Sequence, residues 1–157
     1  MPIEALLILA LLECMWSFNL LAMVILFDGV CNLCNGFVQF IIRHDRDKKF
    51  RFASLQSNYG KSLISYFNLP LTATGTVILY HDGKVSVESD ASIEILSSLG
   101  GMWKFVRVFR IFPRFIRNGL YRLLARNRYR IFGKTDQCMV PSDNTKDRFL
   151  DDTTFRQ

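Results

Sequence analysis

The chain has 157 residues, half of them hydrophobic, with 14 Phe and a net charge of +6. That length supplies one domain with an ample core and argues against two. Its four cysteines, one close pair plus the singles Cys14 and Cys138, are too sparse for a disulfide scaffold, so they point to a reducing compartment, the cytoplasm.

Residues 1–22 are apolar but interrupted by Glu4 and Glu13, and no Lys or Arg precedes them. A secretory signal wants a basic start, and carboxylates within a bilayer span are costly. We expect a peripheral or packed amphipathic helix here, or a stretch outside the natural product with Met23 as the natural start. Val24-Ile25-Leu26-Phe27 is a short apolar run that reads as a buried strand, closed by Asp28-Gly29. From Cys31 to His44, Leu33, Phe37, Phe40 and Ile41 recur at helical spacing, and the charged run Asp45 to Lys49 ends that helix. Phe50 and Phe52 alternate with Arg51 as in a strand. Gln56 to Phe67 reads as a second helix, stopped by Asn68-Leu69-Pro70.

Thr76 to Tyr80 is rich in strand formers, and Asp82-Gly83 carries the signature of a tight hairpin that returns through Val85 to Val87. Ser89-Asp90 is expected to cap a third helix, Ala91 to Leu99, which Gly100-Gly101 ends. Two further helices follow, Met102 to Phe112 and Arg114 to Arg126, with Pro113 between them as a kink or a break. The expected layout is therefore an N-terminal extension over 1–22, one domain over 23–141 that includes basic helices at 102–130, and a loosely ordered polar tail over 142–157.

The chemistry concentrates in Asp28-Gly29-Val30-Cys31-Asn32-Leu33-Cys34. Two cysteines three residues apart sit where a strand ends and a helix begins. Free backbone N–H groups and the positive end of the helix dipole favour a thiolate there. Cys31, nearer the exposed helix end, is the candidate nucleophile, and Cys34, one turn on, the candidate resolving thiol. Asp28 has two readings: a general base for Cys34, or a side chain that shapes the Asp-Gly turn. A metal site would ordinarily need four ligands, and a second Cys-x-x-Cys is absent, with Cys14, Cys138, His44 and His81 scattered. No metal ligand and no bound cofactor are expected, and neither histidine is expected to be catalytic.

The order β-α-β-α-β-β-α with Cys-x-x-Cys at the first helix is similar to the thioredoxin-like α/β fold, here with additional C-terminal helices. More closely, the chain resembles the DCC family of thiol–disulfide oxidoreductases, named for Asp-x-x-Cys-x-x-Cys, in Asp28, Cys31 and Cys34. The resemblance continues in Phe52-Ala53-Ser54-Leu55-Gln56, Ser89-Asp90-Ala91, Asn127-Arg128-Tyr129, and Cys138 with Pro141. It implies a thioredoxin-like fold and dithiol–disulfide exchange with protein or small-molecule thiols and disulfides, and it supplies no particular substrate. Gly75 stands where thioredoxins place the proline before their third strand, so substrate docking at that loop is expected to differ. Cys138 is a candidate third thiol.

From Met102 to Lys134 there are ten Lys or Arg and no Asp or Glu, so the rest of the chain is net acidic. Arg107, Arg110, Arg114 and Arg117 would line one helical face if Pro113 only kinks the helix, with Phe105, Phe109, Phe112 and Phe115 nearby. Such a face can rest on an anionic membrane surface, while the plainer reading is a helix that buries its Phe side and solvates its Arg side. No nucleic-acid motif accompanies the charge, so no nucleic-acid partner is expected.

Overall fold

The computed structural model of the chain describes residues 23–69, 77–136 and 143–150. The N-terminal extension, the loop containing Gly75, Cys138 with Pro141, and the end of the tail lie outside them.

Four strands form one sheet in the order β2-β1-β3-β4, with β1 spanning Met23–Phe27, β2 Phe50–Ser54, β3 Ile78–His81 and β4 Lys84–Val87. β1 pairs in parallel with β2 and antiparallel with β3, and β3 pairs antiparallel with β4. This is a mixed α/β architecture of the thioredoxin-like kind. Side chains alternate across a strand. Ile25 and Phe27 therefore enter one core with Phe50, Phe52 and Leu79, while Val24 and Leu26 enter a second with Ala53 and Ile78. Helices cover both faces, so β1 must be apolar throughout, and its unbroken run Val24 to Phe27 is buried.

On the first face lie α1, Asn32–His44, and α3, Glu88–Ser98, which contribute Cys34, Val38, Ile41, Ala91 and Ile95. On the second lies α2, Asn58–Tyr66, through Tyr59, Leu63 and Ile64. Ser57 caps α2 by accepting the Gly60 N–H at 3.0 Å. The β3–β4 hairpin turns at Asp82 and Gly83, with φ of 49° and 71°, and pairs His81 with Lys84. Both positive φ values are what a two-residue hairpin turn demands, and Asp-Gly meets them.

Three elements differ from the expected ones. α3 begins at Glu88, so Ser89 and Asp90 lie inside its first turn rather than at its cap, where Val87 stands without a capping side-chain bond. The expected helix from Met102 is a 3-10 helix over Gly101–Ile111, and Pro113 separates it from α4, Arg114–Phe132. The break is complete because Phe112 is extended and Pro113 lacks the N–H to continue a helical ladder. The tail, expected to be loose, is packed over its described part. Phe149 is buried against Phe27 and Phe52, and Leu150 N–H donates to the Phe52 carbonyl at 2.7 Å. Arg148 forms a buried ion pair with Asp45, whose carboxylate also accepts the N–H of Lys49 and Phe50. Asp45 thus anchors the chain around the end of α1, where the charged run begins.

Candidate active site

Cys31 is the N-cap residue of α1: its backbone is extended, and its Sγ accepts the N–H of Cys34 at 3.4 Å. A cap sulfur in that position receives one of the amide protons that the first helical turn leaves unpaired. Both cysteines are thiols and both are buried. Burial pushes the Cys34 thiol up to about 12, reinforced by its neighbour Cys31.

Cys31 was expected at an exposed helix end; it is 0% exposed, against 7% for Cys34. The cover comes from the far end of α4. Asn32 Nδ2 donates to the Phe132 carbonyl at 3.0 Å, Thr135 N–H donates to the Val30 carbonyl at 2.9 Å, and Cys31 forms a β-bridge with Lys134. Thr135 Oγ1 is also hydrogen-bonded to Asn32 Oδ1. The chain turns into this crossing at Gly133, whose φ is 82° and whose missing Cβ would lie 3.1 Å from Asn32 Nδ2, so glycine fits on both counts.

Asp28 lies below the pair, only 3% exposed. Its Oδ1 accepts the Val30 N–H at 3.2 Å and Gln56 Nε2 at 2.8 Å. Its Oδ2 accepts Arg128 Nη2 at 3.0 Å and the Tyr129 hydroxyl. Arg128, 8% exposed, also donates to the Tyr129 hydroxyl at 3.0 Å. Burial alone would raise the Asp28 carboxyl, but the bonds from Tyr129, Gln56 and Val30 and the charge of Arg128 outweigh it, and the net direction is down. Gln56 also ties the turn to β2: its Oε1 accepts the Gly29 N–H at 3.2 Å and the Ser54 hydroxyl at 2.5 Å.

Arg128 and Tyr129 had no role in the motif reading, yet they complete the site from α4. The signal was present as two of the segments that carried the family resemblance, one ending in Gln56 and one containing Arg128-Tyr129. A third such segment, Ser89-Asp90, forms a separate cluster. Asp90 accepts Arg117 at 2.9 Å and Arg114 at 3.3 Å, and Ser89 bonds to Asn118. Arg114 and Arg117 are therefore fixed against α3, whereas Arg107 and Arg110 are exposed and pair with no carboxylate among the described residues. His44 Nδ1 bonds to the Phe40 carbonyl at 2.8 Å, and His81 lies 3.7 Å from Asp82 at the hairpin, both away from the cysteines.

The profile described as DCC1-like thiol-disulfide oxidoreductase matches residues 25–134, a stretch that contains both cysteines, Asp28, Gln56, Arg128 and Tyr129. The chain belongs to that family. Among its relatives is the uncharacterized protein YuxK of Bacillus subtilis (strain 168), 45% identical over 127 residues, which are 81% of this chain and 93% of the relative. Another is the DCC family protein At1g52590, chloroplastic, of Arabidopsis thaliana, 38% identical over 116 residues, 73% of this chain and 67% of that one. No solved structure matches the chain. In this DCC-family chain the aspartate of the motif is bound to α4 as firmly as to its own turn. Among the described residues no helix is long and apolar enough to cross a membrane.

Proposed function

We propose that the chain is a thiol–disulfide oxidoreductase that exchanges electrons with protein or small-molecule disulfides through Cys31 and Cys34, in the cytoplasm. The observation that carries this reading is the placement of the Cys31 sulfur at the cap of α1, where the Cys34 amide points at it. Negative charge on that sulfur meets an N–H donor and the positive end of a helix. Cys34, held protonated by burial, leaves the first attack to Cys31.

In the first step Cys31 thiolate bonds to one sulfur of a substrate disulfide, and the other sulfur leaves as a thiolate. Cys34 then gives up its proton and bonds to Cys31, and the first substrate sulfur leaves in turn. The pair is oxidised by two electrons and the substrate reduced by two, and the two thiol protons end on the two products. Attack needs the crossing at Phe132–Thr135 to lift from Cys31. Asp28 enters as a positioning residue: with four donors on its two oxygens and its acidity increased, it suits holding the turn and Arg128 better than taking a proton. Cys31→Ser should abolish reduction of a disulfide substrate, and Cys34→Ser should accumulate a mixed disulfide at Cys31 that mass spectrometry locates. Turnover retained in Cys31→Ser would overturn the assignment.

A second reading, compatible with the first, concerns the 3-10 helix and α4. Phe105, Ile111 and Phe115 are each more than 70% exposed, beside Arg107 and Arg110, which are exposed and pair with no carboxylate among the described residues. Apolar side chains flanked by exposed cations suit an anionic membrane surface. Vesicles containing phosphatidylserine should co-sediment the protein at low salt, and Arg107→Glu with Arg110→Glu should abolish this. Absence of co-sedimentation by the unmodified protein would contradict the reading.

A further inference from the structure

Between α1 and α4 lies a cavity of about 170 Å³, lined by Leu33, Cys34 and Phe37 from α1 and by Tyr121, Leu124 and Arg128 from α4, among others. Cys34 forms part of its wall, so a group seated here lies beside the cysteine pair, and Cys31 becomes accessible to it when the crossing at Phe132–Thr135 lifts. We infer that this cavity holds a neutral apolar group of the substrate, so that the preferred substrates are disulfides bearing small alkyl or aryl substituents rather than charged ones. The inference rests on the exchange reading above and names the substrate class of the same site.

Three features of the wall carry it. First, its carbon-lined portion, Leu33, Phe37, Val77, Leu124 and Ala125, offers no hydrogen-bonding side chain. Second, its two hydroxyl groups are engaged with one another or with the protein. The Tyr121 hydroxyl accepts the Val77 N–H at 3.1 Å and shares a hydrogen bond with Ser92, and Ser92 Oγ donates to the Glu88 carbonyl at 3.2 Å. Third, the charged member of the wall, Arg128, is already paired with Asp28 at 3.0 Å. An ion placed there would lose its water against a wall that is mostly carbon, whereas an alkyl or aryl group would lose only unfavourable contact with water.

In the exchange step the substrate R–S–S–R has its R group in the cavity while Cys31 bonds to one sulfur. The other leaves as R–S⁻, and closure of Cys34 onto Cys31 releases the second, so that two R–SH and one Cys31–Cys34 disulfide result.

The test compares the rate constants of the reduced protein toward dipropyl disulfide, the dianion 3,3′-dithiodipropionate and the dication cystamine. Dithiothreitol under the same conditions gives the intrinsic reactivities. The neutral substrate should be favoured over both charged ones by about tenfold or more beyond the preference of dithiothreitol, and Ala125→Phe should collapse that excess. As an independent readout, dipropyl sulfide, which cannot exchange, should shift the methyl NMR signals of Leu124 and Ala125 in the double variant Cys31→Ser, Cys34→Ser. Preference equal to that of dithiothreitol, or no methyl shift, overturns the inference while leaving disulfide exchange in place. Reaction with none of the three disulfides, with the methyl shifts present, overturns the exchange reading instead and takes the substrate assignment with it.

Discussion

The carboxylate of Asp28 is held by donors from its own turn, from Gln56 just after β2 and from α4, and it balances an Arg128 guanidinium that is nearly as buried. Removing one partner of such a pair leaves the other charge buried and unmatched. Asp28→Asn should therefore lower stability at pH 7 by about 3–5 kcal/mol, read as a shift of the urea midpoint. The pH dependence has a definite sign. The folded carboxyl is more acidic than its ordinary value of 3.8, so its contribution is fully present above that pH and is lost as pH falls through the folded value. The gap between the natural chain and Asp28→Asn should narrow below about pH 4, and a gap that stays constant would show that the charge is not what Asp28 contributes.

At the scale of elements, the cover over Cys31 is a short crossing held by few bonds, two of them through the Asn32 side chain. Loss of these should cost about 1 kcal/mol, so Asn32→Ala should speed alkylation of Cys31 by iodoacetamide about fivefold. Mass spectrometry would separate this from Cys34, and an unchanged Cys31 rate would contradict the role given to the crossing. Much of this level was legible in the sequence. The buried run Val24 to Phe27, the helical spacing after Cys31 and the Asp82-Gly83 hairpin are local signals, and each element stands where its signal lies. The cover was not legible, because it depends on α4 running on past Arg126 to Phe132 and then turning at Gly133 onto a helix about a hundred residues earlier. The Asp28–Arg128 pair was hidden for the same reason: nothing in the spacing of ten basic residues tells which one will be buried. The face expected from Arg107 to Arg117 divides because Asp90 draws in Arg114 and Arg117 and Pro113 ends the preceding helix.

At the scale of the whole molecule, two buried ion pairs among the described residues join distant parts of the chain to the central sheet. Asp28 ties α4 to the end of β1, and Asp45 ties the tail to the loop before β2. Asp28 stands just before the start of α1, and Asp45 stands at its end. Their partners come from the basic C-terminal third, so that third builds the site as well as presenting the exposed ridge. The 3-10 helix rests on α1 through Trp103, whose ring lies 5.0 Å from Phe40 and 5.8 Å from His44. The helix that carries the cysteines is thus held at its start by α4 and near its end by the segment that precedes α4.

The central claim is that Cys31 and Cys34 form a working dithiol. A glutathione redox titration of the full chain, with thiols trapped and located by mass and Cys31→Ser as control, tests it most directly. The account predicts a single reversible two-electron transition between the dithiol and a Cys31–Cys34 disulfide, absent from the control. Cysteines that stay reduced across the titration, or that pair only with glutathione, would contradict it.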